Sequence, residues 1–314
     1  MLSKLSLFLF IIFFVSCAKT PEQEIISAKK EALYFLTEGD CSSAKNALDA
    51  ISPDSDDAVF YSIYASVYQC FGELKQLDII TDLSTLVTPA QATLWSTFAA
   101  FDLAQVEVAA DSTSYTNTML AINKLLTAGG GAQPSAVNRK AVFGTAPAGD
   151  MDLQALLLIT VEFGKFLKYY GQADATGAKG AAIPGVAGCL AEYTDLTAET
   201  AAETSAACSD AGNESTTEMK TANADYIRRL CEGVILFNNF QDILSNLTFS
   251  SNSSELAGLS DVGAVLTTLE SLVTSDVPAQ SYVDITGQVA CEAEAVSNQV
   301  GLERFFAGVI DSQY

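Results

Sequence analysis

The sequence predicts an all-α protein built from antiparallel helices. Apolar residues recur at three- and four-residue spacing through most of the chain, and glycine or proline follows several of these segments. No stretch shows the sustained alternation of apolar and polar residues that is typical of a half-buried strand. With 49% hydrophobic and 17% charged residues, the 314-residue chain has enough apolar side chains to bury a sizeable core.

The chain begins with a short apolar segment, residues 1–16, that has the pattern of an export signal. Lys4 precedes a run from Leu5 to Val15 that only Ser6 interrupts. About eleven apolar residues are too few to cross a bilayer core of ~30 Å, but they suit the apolar region of a secretory signal.

The end of this segment, Phe14-Val15-Ser16-Cys17, resembles the lipobox of bacterial lipoproteins. The resemblance implies that Cys17 becomes the N-terminus and carries acyl chains that hold the protein in a membrane, with residues 17–23 as a tether. Ala18 after the cysteine resembles lipoproteins sorted to the outer membrane, which implies its periplasmic face. The alternative is an ordinary cleaved signal with Cys17 in a disulfide.

Residues 24–170 form the predicted helical region, which opens with three helices. The first runs from Glu24 and ends at Gly39. The second, capped by Asp40 or Ser42, ends at Pro53, and the third is rich in aromatic residues and ends at Gly72.

Within this region, residues 24–86 resemble tetratricopeptide repeats. Gly39-Asp40 and Gly72-Glu73 are 33 residues apart, close to the period of about 34 residues in such arrays. The matching residues lie in the turn, the second helix and the following first helix, and they are Gly39, Asp40, Ala44, Leu48, Pro53, Ala65, Tyr68 and Gly72. The resemblance implies stacked helix pairs, and generic antiparallel helices are the alternative.

Further helices are expected at 89–107 and 115–126, followed by a loop at 128–149 that is rich in Gly, Pro and Ala. Residues 151–170 are apolar on nearly every side of a helix. Charged residues interrupt this segment four times, so we expect a buried central helix and no membrane span.

Two further regions complete the predicted organisation. Residues 171–221 are dominated by Ala, Gly, Thr, Ser and Glu, which predicts a surface insertion. Residues 222–314 are expected to form a C-terminal helical region packed on the first, with helices at 222–247, 256–274 and 287–310.

Six cysteines remain when Cys17 is set aside, and an even number in an exported chain suggests disulfides. In a tetratricopeptide-like arrangement the start of one second helix lies level with the end of the next first helix, which favours Cys41–Cys70. Proximity in sequence favours Cys189–Cys208 and Cys231–Cys291. Free buried thiols are the alternative.

Composition excludes several kinds of function. The chain has no histidine, which removes Ser-His-Asp triads, Cys-His dyads and His-ligated zinc or haem. A net charge of −22 argues against nucleic acid. The acidic turn at Asp54, Asp56 and Asp57 lacks the pattern of a calcium-binding loop. We therefore expect no catalytic residue, no metal and no cofactor.

Surface recognition is the expected mode of action. Tyr61, Tyr64 and Tyr68 share one helix face, and Tyr34 lies one repeat earlier, so these four form a candidate binding face or pack between helices. We expect a lipid-anchored, non-catalytic scaffold or binding module of the bacterial cell envelope that contacts a protein partner. A solute-binding accessory subunit of a transporter and a carboxylate-based envelope enzyme are the alternatives.

Overall fold

The structure is a computed structural model that describes residues 20–51, 57–74, 78–79, 94–101, 104, 112–131, 133–180, 188–196, 216–247, 273, 276–312 and 314. Over these residues the chain forms ten α-helices, a short 3₁₀ turn and a terminal π-helical turn, without a β-strand. The predicted all-α class is confirmed, and neighbouring helices pack on one another as an array. The expected signal, residues 1–16, and Cys17 lie outside the described residues.

Three helices form the N-terminal layer: α1 (Pro21–Thr37), α2 (Cys41–Asp49) and α3 (Ala58–Phe71). Each begins after a residue whose side chain accepts a hydrogen bond from the backbone N–H three positions later, namely Thr20, Asp40 and Asp57. The three helices contact one another and enclose a small apolar core of their own. The expected continuation of the repeats to residue 86 falls mostly outside the described residues.

A long central helix organises the rest of the molecule. α4 (Leu94–Ala99), α5 (Thr113–Leu126) and α6 (Ala136–Phe143) all pack on α7 (Thr145–Tyr170), as does α3. The second half of α7 is buried around its whole circumference, as its apolar composition predicts. No helix among the described residues is both long enough and apolar enough to cross a membrane.

The expected loop at 128–149 is wrong, because this stretch contains α6 and the first turns of α7. Ser135 caps α6 by accepting a hydrogen bond from the N–H of Asn138 at 3.1 Å. The carboxylate of Asp242 accepts a second bond from the N–H of Ala136, at 2.7 Å. A left-handed Gly144, with φ of 80°, then lets the chain turn directly into α7. A hydrogen bond to a carboxylate 106 residues away therefore helps to form a helix where the Gly-, Pro- and Ala-rich composition predicts a loop.

The C-terminal region contains α8 (Tyr226–Asn246), the single turn α9 (Val277–Gln280) and α10 (Gln288–Phe305), which ends in the π-helical turn Phe306–Asp311. α8 packs on both α7 and α10, so this region lies against the N-terminal one. The expected helix at 256–274 lies outside the described residues except for Val273.

Parts of the insertion at 171–221 are deeply buried, so its expected surface position is wrong for these parts. The buried residues are Cys189, Leu190, Ala191, Tyr193 and Met219. The carboxylate of Asp311 holds this segment, because it accepts hydrogen bonds from the N–H of Leu190 at 2.9 Å and the hydroxyl of Tyr193 at 2.6 Å. These partners are more than a hundred residues from Asp311, so composition gives no indication of the contact.

The single tryptophan links the two ends of the core. Trp95 on α4 is fully buried, and its ring N–H donates to the carbonyl of Val309 at 3.2 Å. Its ring contacts Phe163 of α7 and Phe237 of α8, with centroids 5.0 and 5.8 Å away. Helices α4, α7 and α8 and the terminal π-helical turn therefore share one core.

Candidate functional site

The structure brings three of the four predicted tyrosines together. Tyr61, Tyr64 and Tyr68 lie on one face of α3, and the rings of Tyr64 and Tyr68 are 5.4 Å apart. Tyr64 is buried, whereas Tyr61 and Tyr68 are partly exposed. Tyr34 lies apart from them on α1, with its ring against Phe35. No ring contact among the described residues joins Tyr34 to the other three tyrosines.

Charged residues enclose Tyr64. Its hydroxyl donates to Asp49, which also accepts a bond from Lys45 at 2.5 Å. The ammonium of Lys124 lies 4.2 Å from the centroid of the Tyr64 ring. The hydrogen bonds from Lys45 and Tyr64 lower the pKa of Asp49, while burial lowers that of Lys124. Tyr64 thus joins α2, α3 and α5 as a packing residue.

Two expected disulfides are present. Cys41–Cys70 joins the start of α2 to the end of α3, and Cys231–Cys291 joins α8 to α10. Cys189 is also disulfide-bonded. Its expected partner Cys208 lies outside the described residues.

The polar residues inside α7 were interpreted from the sequence only as interruptions of an apolar segment. In the structure, Asp152 and Lys165 are buried and hydrogen-bonded. Asp152 accepts a hydrogen bond from Arg139 at 2.5 Å, with both side chains almost fully enclosed. Lys165 donates to the hydroxyl of Ser114 at 2.6 Å, and that hydroxyl donates to the carbonyl of Gly72. Lys165 thereby links α7 to α5.

Five residues from three helices form what we term the interior polar cluster. They are Tyr115 of α5, Glu162 and Tyr170 of α7, and Arg229 and Glu232 of α8. One guanidinium nitrogen of Arg229 donates to both carboxylate oxygens of Glu232, at 2.9 and 2.8 Å. Burial raises the pKa of Glu162 well above its usual range, although Lys165 opposes this shift.

Several polar atoms of the interior polar cluster lack partners. Among the described residues, no hydrogen bond of normal geometry reaches the hydroxyls of Tyr115 and Tyr170, the Nε of Arg229 or either oxygen of Glu162, although the Thr118 hydroxyl lies close enough to lower the pKa of Glu162. Buried polar groups are normally bonded to protein or ordered water, so such a concentration calls for ordered water or another small molecule at these atoms.

A cleft of about 270 Å³ lies between α5, α8 and the start of α10. Three residues of the interior polar cluster, Tyr115, Arg229 and Glu232, form part of its lining. Its lining combines polar and apolar side chains and consists of Tyr115, Thr116, Met119, Leu120, Asn123, Arg228, Arg229, Glu232, Ile235 and Gln288. Sequence reasoning missed it, because the three helices are distant in the chain. The spacing of Arg229 and Glu232, three residues apart on a helix, was the one available signal.

The described residues contain no group of three or more Cys, Asp or Glu side chains arranged to hold a metal ion. Asp57 of the acidic turn caps α3 and pairs with Lys29 at 2.7 Å, while Asp54 and Asp56 lie outside the described residues. Comparisons with models of protein families, with curated proteins and with solved structures found no match.

Proposed function

We propose that this chain is a lipid-anchored, non-catalytic binding module of the bacterial cell envelope, on the periplasmic face of the outer membrane. It acts by contacting a protein partner. The lipobox-like segment that ends at Cys17 supports the anchor. The all-helical array and the complete lack of histidine support recognition as the activity.

The proposal rests on the apolar side chains that α1 exposes. Ile26, Leu33 and Tyr34 lie seven and eight residues apart, which places them on one side of the helix. They are exposed at 43%, 47% and 61%, respectively. Ala28 and Ala32 on the other side are buried against the array. Terminal helices of stacked arrays normally present a polar outer face, whereas α1 exposes three large apolar side chains there among polar ones.

The position of α1 also suits this role. The helix begins at Pro21, four residues after Cys17, and Thr20 and Gln23 fix its start through reciprocal hydrogen bonds. The anchor would therefore hold this apolar face close to the membrane surface. A helix of a partner protein, laid along α1, would continue the stack of helices and cover the exposed side chains.

Site-specific photocrosslinking tests the proposal. Tyr34→benzoylphenylalanine should crosslink one defined envelope protein in cells, whereas Val137→benzoylphenylalanine on exposed α6 should not. Leu33→Asp should abolish that crosslink without lowering the melting temperature, since Leu33 is half exposed. Cys17→Ser should release the chain from membranes. Equal crosslinking at both positions, or membrane retention of Cys17→Ser, would overturn the proposal.

A further inference from the structure

We propose that the cleft between α5, α8 and the start of α10 binds a small organic acid, a monocarboxylate with a short apolar chain. This site is separate from the outward face of α1 and goes beyond the protein contact proposed above. The argument rests on the charges, the unpartnered donors and the apolar wall of the cleft.

The cleft is locally positive in a chain whose net charge is −22. Its lining contains two cations, Arg228 and Arg229, and one anion, Glu232. Glu232 is already engaged by Arg229 through both oxygens. Arg228 is about half exposed, pairs with Asp225 at 3.0 Å outside the cleft lining and lies 3.7 Å from Glu232. The lining therefore carries one more guanidinium than carboxylate, and Arg228 is the more accessible of the two cations for an entering anion.

Within the described residues, two donors and one acceptor of the lining have no hydrogen-bond partner: the hydroxyl of Tyr115, the Nε of Arg229 and the Oε1 of Gln288. Tyr115 is 2% exposed and Arg229 is 6% exposed, so each side chain is more than nine-tenths buried. Within the described part of the chain, neither the Tyr115 hydroxyl nor the Arg229 Nε has a hydrogen-bond partner. A carboxylate accepts several hydrogen bonds at once and would satisfy both donors.

The start of α10 adds to this preference. Gly287 precedes the helix without a side-chain cap, and Gln288, the first helical residue, lines the cleft. The first backbone N–H groups of a helix lack intrahelical partners and favour negative charge. Glu162 belongs to the interior polar cluster but not to the cleft lining. Its burial raises its pKa and favours the neutral form, which does not repel an anion.

Part of the cleft lining is apolar, which favours an organic acid over an inorganic ion. Met119 and Leu120 of α5 and Ile235 of α8 form this part. Leu120 is 41% exposed, so an apolar side chain stands at the mouth of the cleft. A volume of about 270 Å³ lies just below the range of about 300–1,000 Å³ for typical ligand pockets, which suits a small molecule.

Calorimetric titration and thermal melting of the full chain in detergent, with sodium hexanoate as the probe, test this proposal. Hexanoate should bind saturably and raise the melting temperature, and hexan-1-ol and hexylammonium chloride should do neither. Arg228→Gln should weaken hexanoate binding about tenfold, through loss of a charge-assisted contact.

A matched pair of variants tests whether hexanoate binds in this cleft. Leu120→Asp sets a negative charge at the mouth of the cleft and should abolish binding. Leu33→Asp makes the same change on α1 at a leucine of similar exposure, 47% against 41%, and should leave binding intact. The proposal is overturned if the folded protein shows no saturable hexanoate binding, if hexan-1-ol binds equally well, or if both variants bind alike.

Discussion

Gly39 and Glu73 occupy the same position in two successive turns, 34 residues apart, and both have a left-handed backbone, with φ of 75° and 58°. In each turn the N–H of the next residue donates to the carbonyl five positions earlier, at 2.9 and 3.0 Å. This separation equals the period of about 34 residues in tetratricopeptide arrays. Alignment of glycines in the sequence gave 33, because Gly72 is not the left-handed residue of the second turn.

The strain at Glu73 leads to a first prediction. A residue with a Cβ in this conformation is destabilised by about 1–2 kcal/mol, so Glu73→Gly should raise the free energy of unfolding by about 1 kcal/mol. Gly39→Ala should lower it by about the same amount, since no atom lies within 4 Å of an added Cβ and only backbone strain changes. Urea unfolding measures both variants, and the same sign for both would contradict the assignment.

The buried pair Arg139–Asp152 leads to a second prediction. Asp152→Ala leaves a buried guanidinium uncompensated and should cost about 3–5 kcal/mol. The double variant Arg139→Met/Asp152→Leu should cost much less, because both charges are removed. The exposed pair Lys45–Asp49 gives the control, and Lys45→Ala should cost less than about 1 kcal/mol. Chemical denaturation compares them, and a double variant worse than the single one would refute the pairing.

A third prediction concerns the order in which disulfides open. Cys41 and Cys70 are partly exposed, whereas Cys231 and Cys291 are fully buried. A mild reductant acting on the folded protein should therefore open Cys41–Cys70 first, as alkylation and peptide mass spectrometry would show. Each bond should contribute about 4 kcal/mol by constraining the unfolded chain. Simultaneous opening of both bonds would mean that reduction requires global unfolding.

A fourth prediction follows from the raised pKa of Glu162. The folded protein binds this proton more tightly than the unfolded chain, whose glutamate pKa is about 4.3. The resulting stabilisation is complete below that value and is lost as the pH rises through the folded pKa. Glu162→Gln, neutral at every pH, should therefore gain stability relative to the unaltered chain as the pH rises.

Melting temperatures across the pH range measure this difference, and Glu22→Gln, on the exposed start of α1, is the matched control. An advantage of Glu162→Gln that shrinks as the pH rises would contradict the argument.

A fifth prediction concerns Asp311, which is fully buried and anchors the insertion. It pairs with Lys179 at 2.5 Å in addition to its bonds to Leu190 and Tyr193. Asp311→Ala should cost about 3 kcal/mol and raise amide hydrogen exchange throughout residues 188–196. Exchange in α1 should not change, and equal acceleration there would indicate global destabilisation instead of local release.

The helical class was predictable because it depends on periodicity within single segments. The apolar composition of 151–170, for example, was sufficient to identify a central buried helix. Contacts between distant segments were not predictable: the bond between Lys165 and Ser114 spans 51 residues, and that between Asp242 and Ala136 spans 106. For the same reason the cleft was not predictable, and the sequence left both a binding face and packing between helices open for Tyr64.

The hydrogen bond from Trp95 to Val309 has a consequence for biosynthesis. The two groups are separated by 214 residues, so this bond cannot form until Val309 has been synthesised and has left the ribosome. The aromatic residues around Trp95 therefore lack this closing contact while the intervening residues are being made. Because the chain has a single tryptophan, the intrinsic fluorescence of Trp95 reports that closure directly.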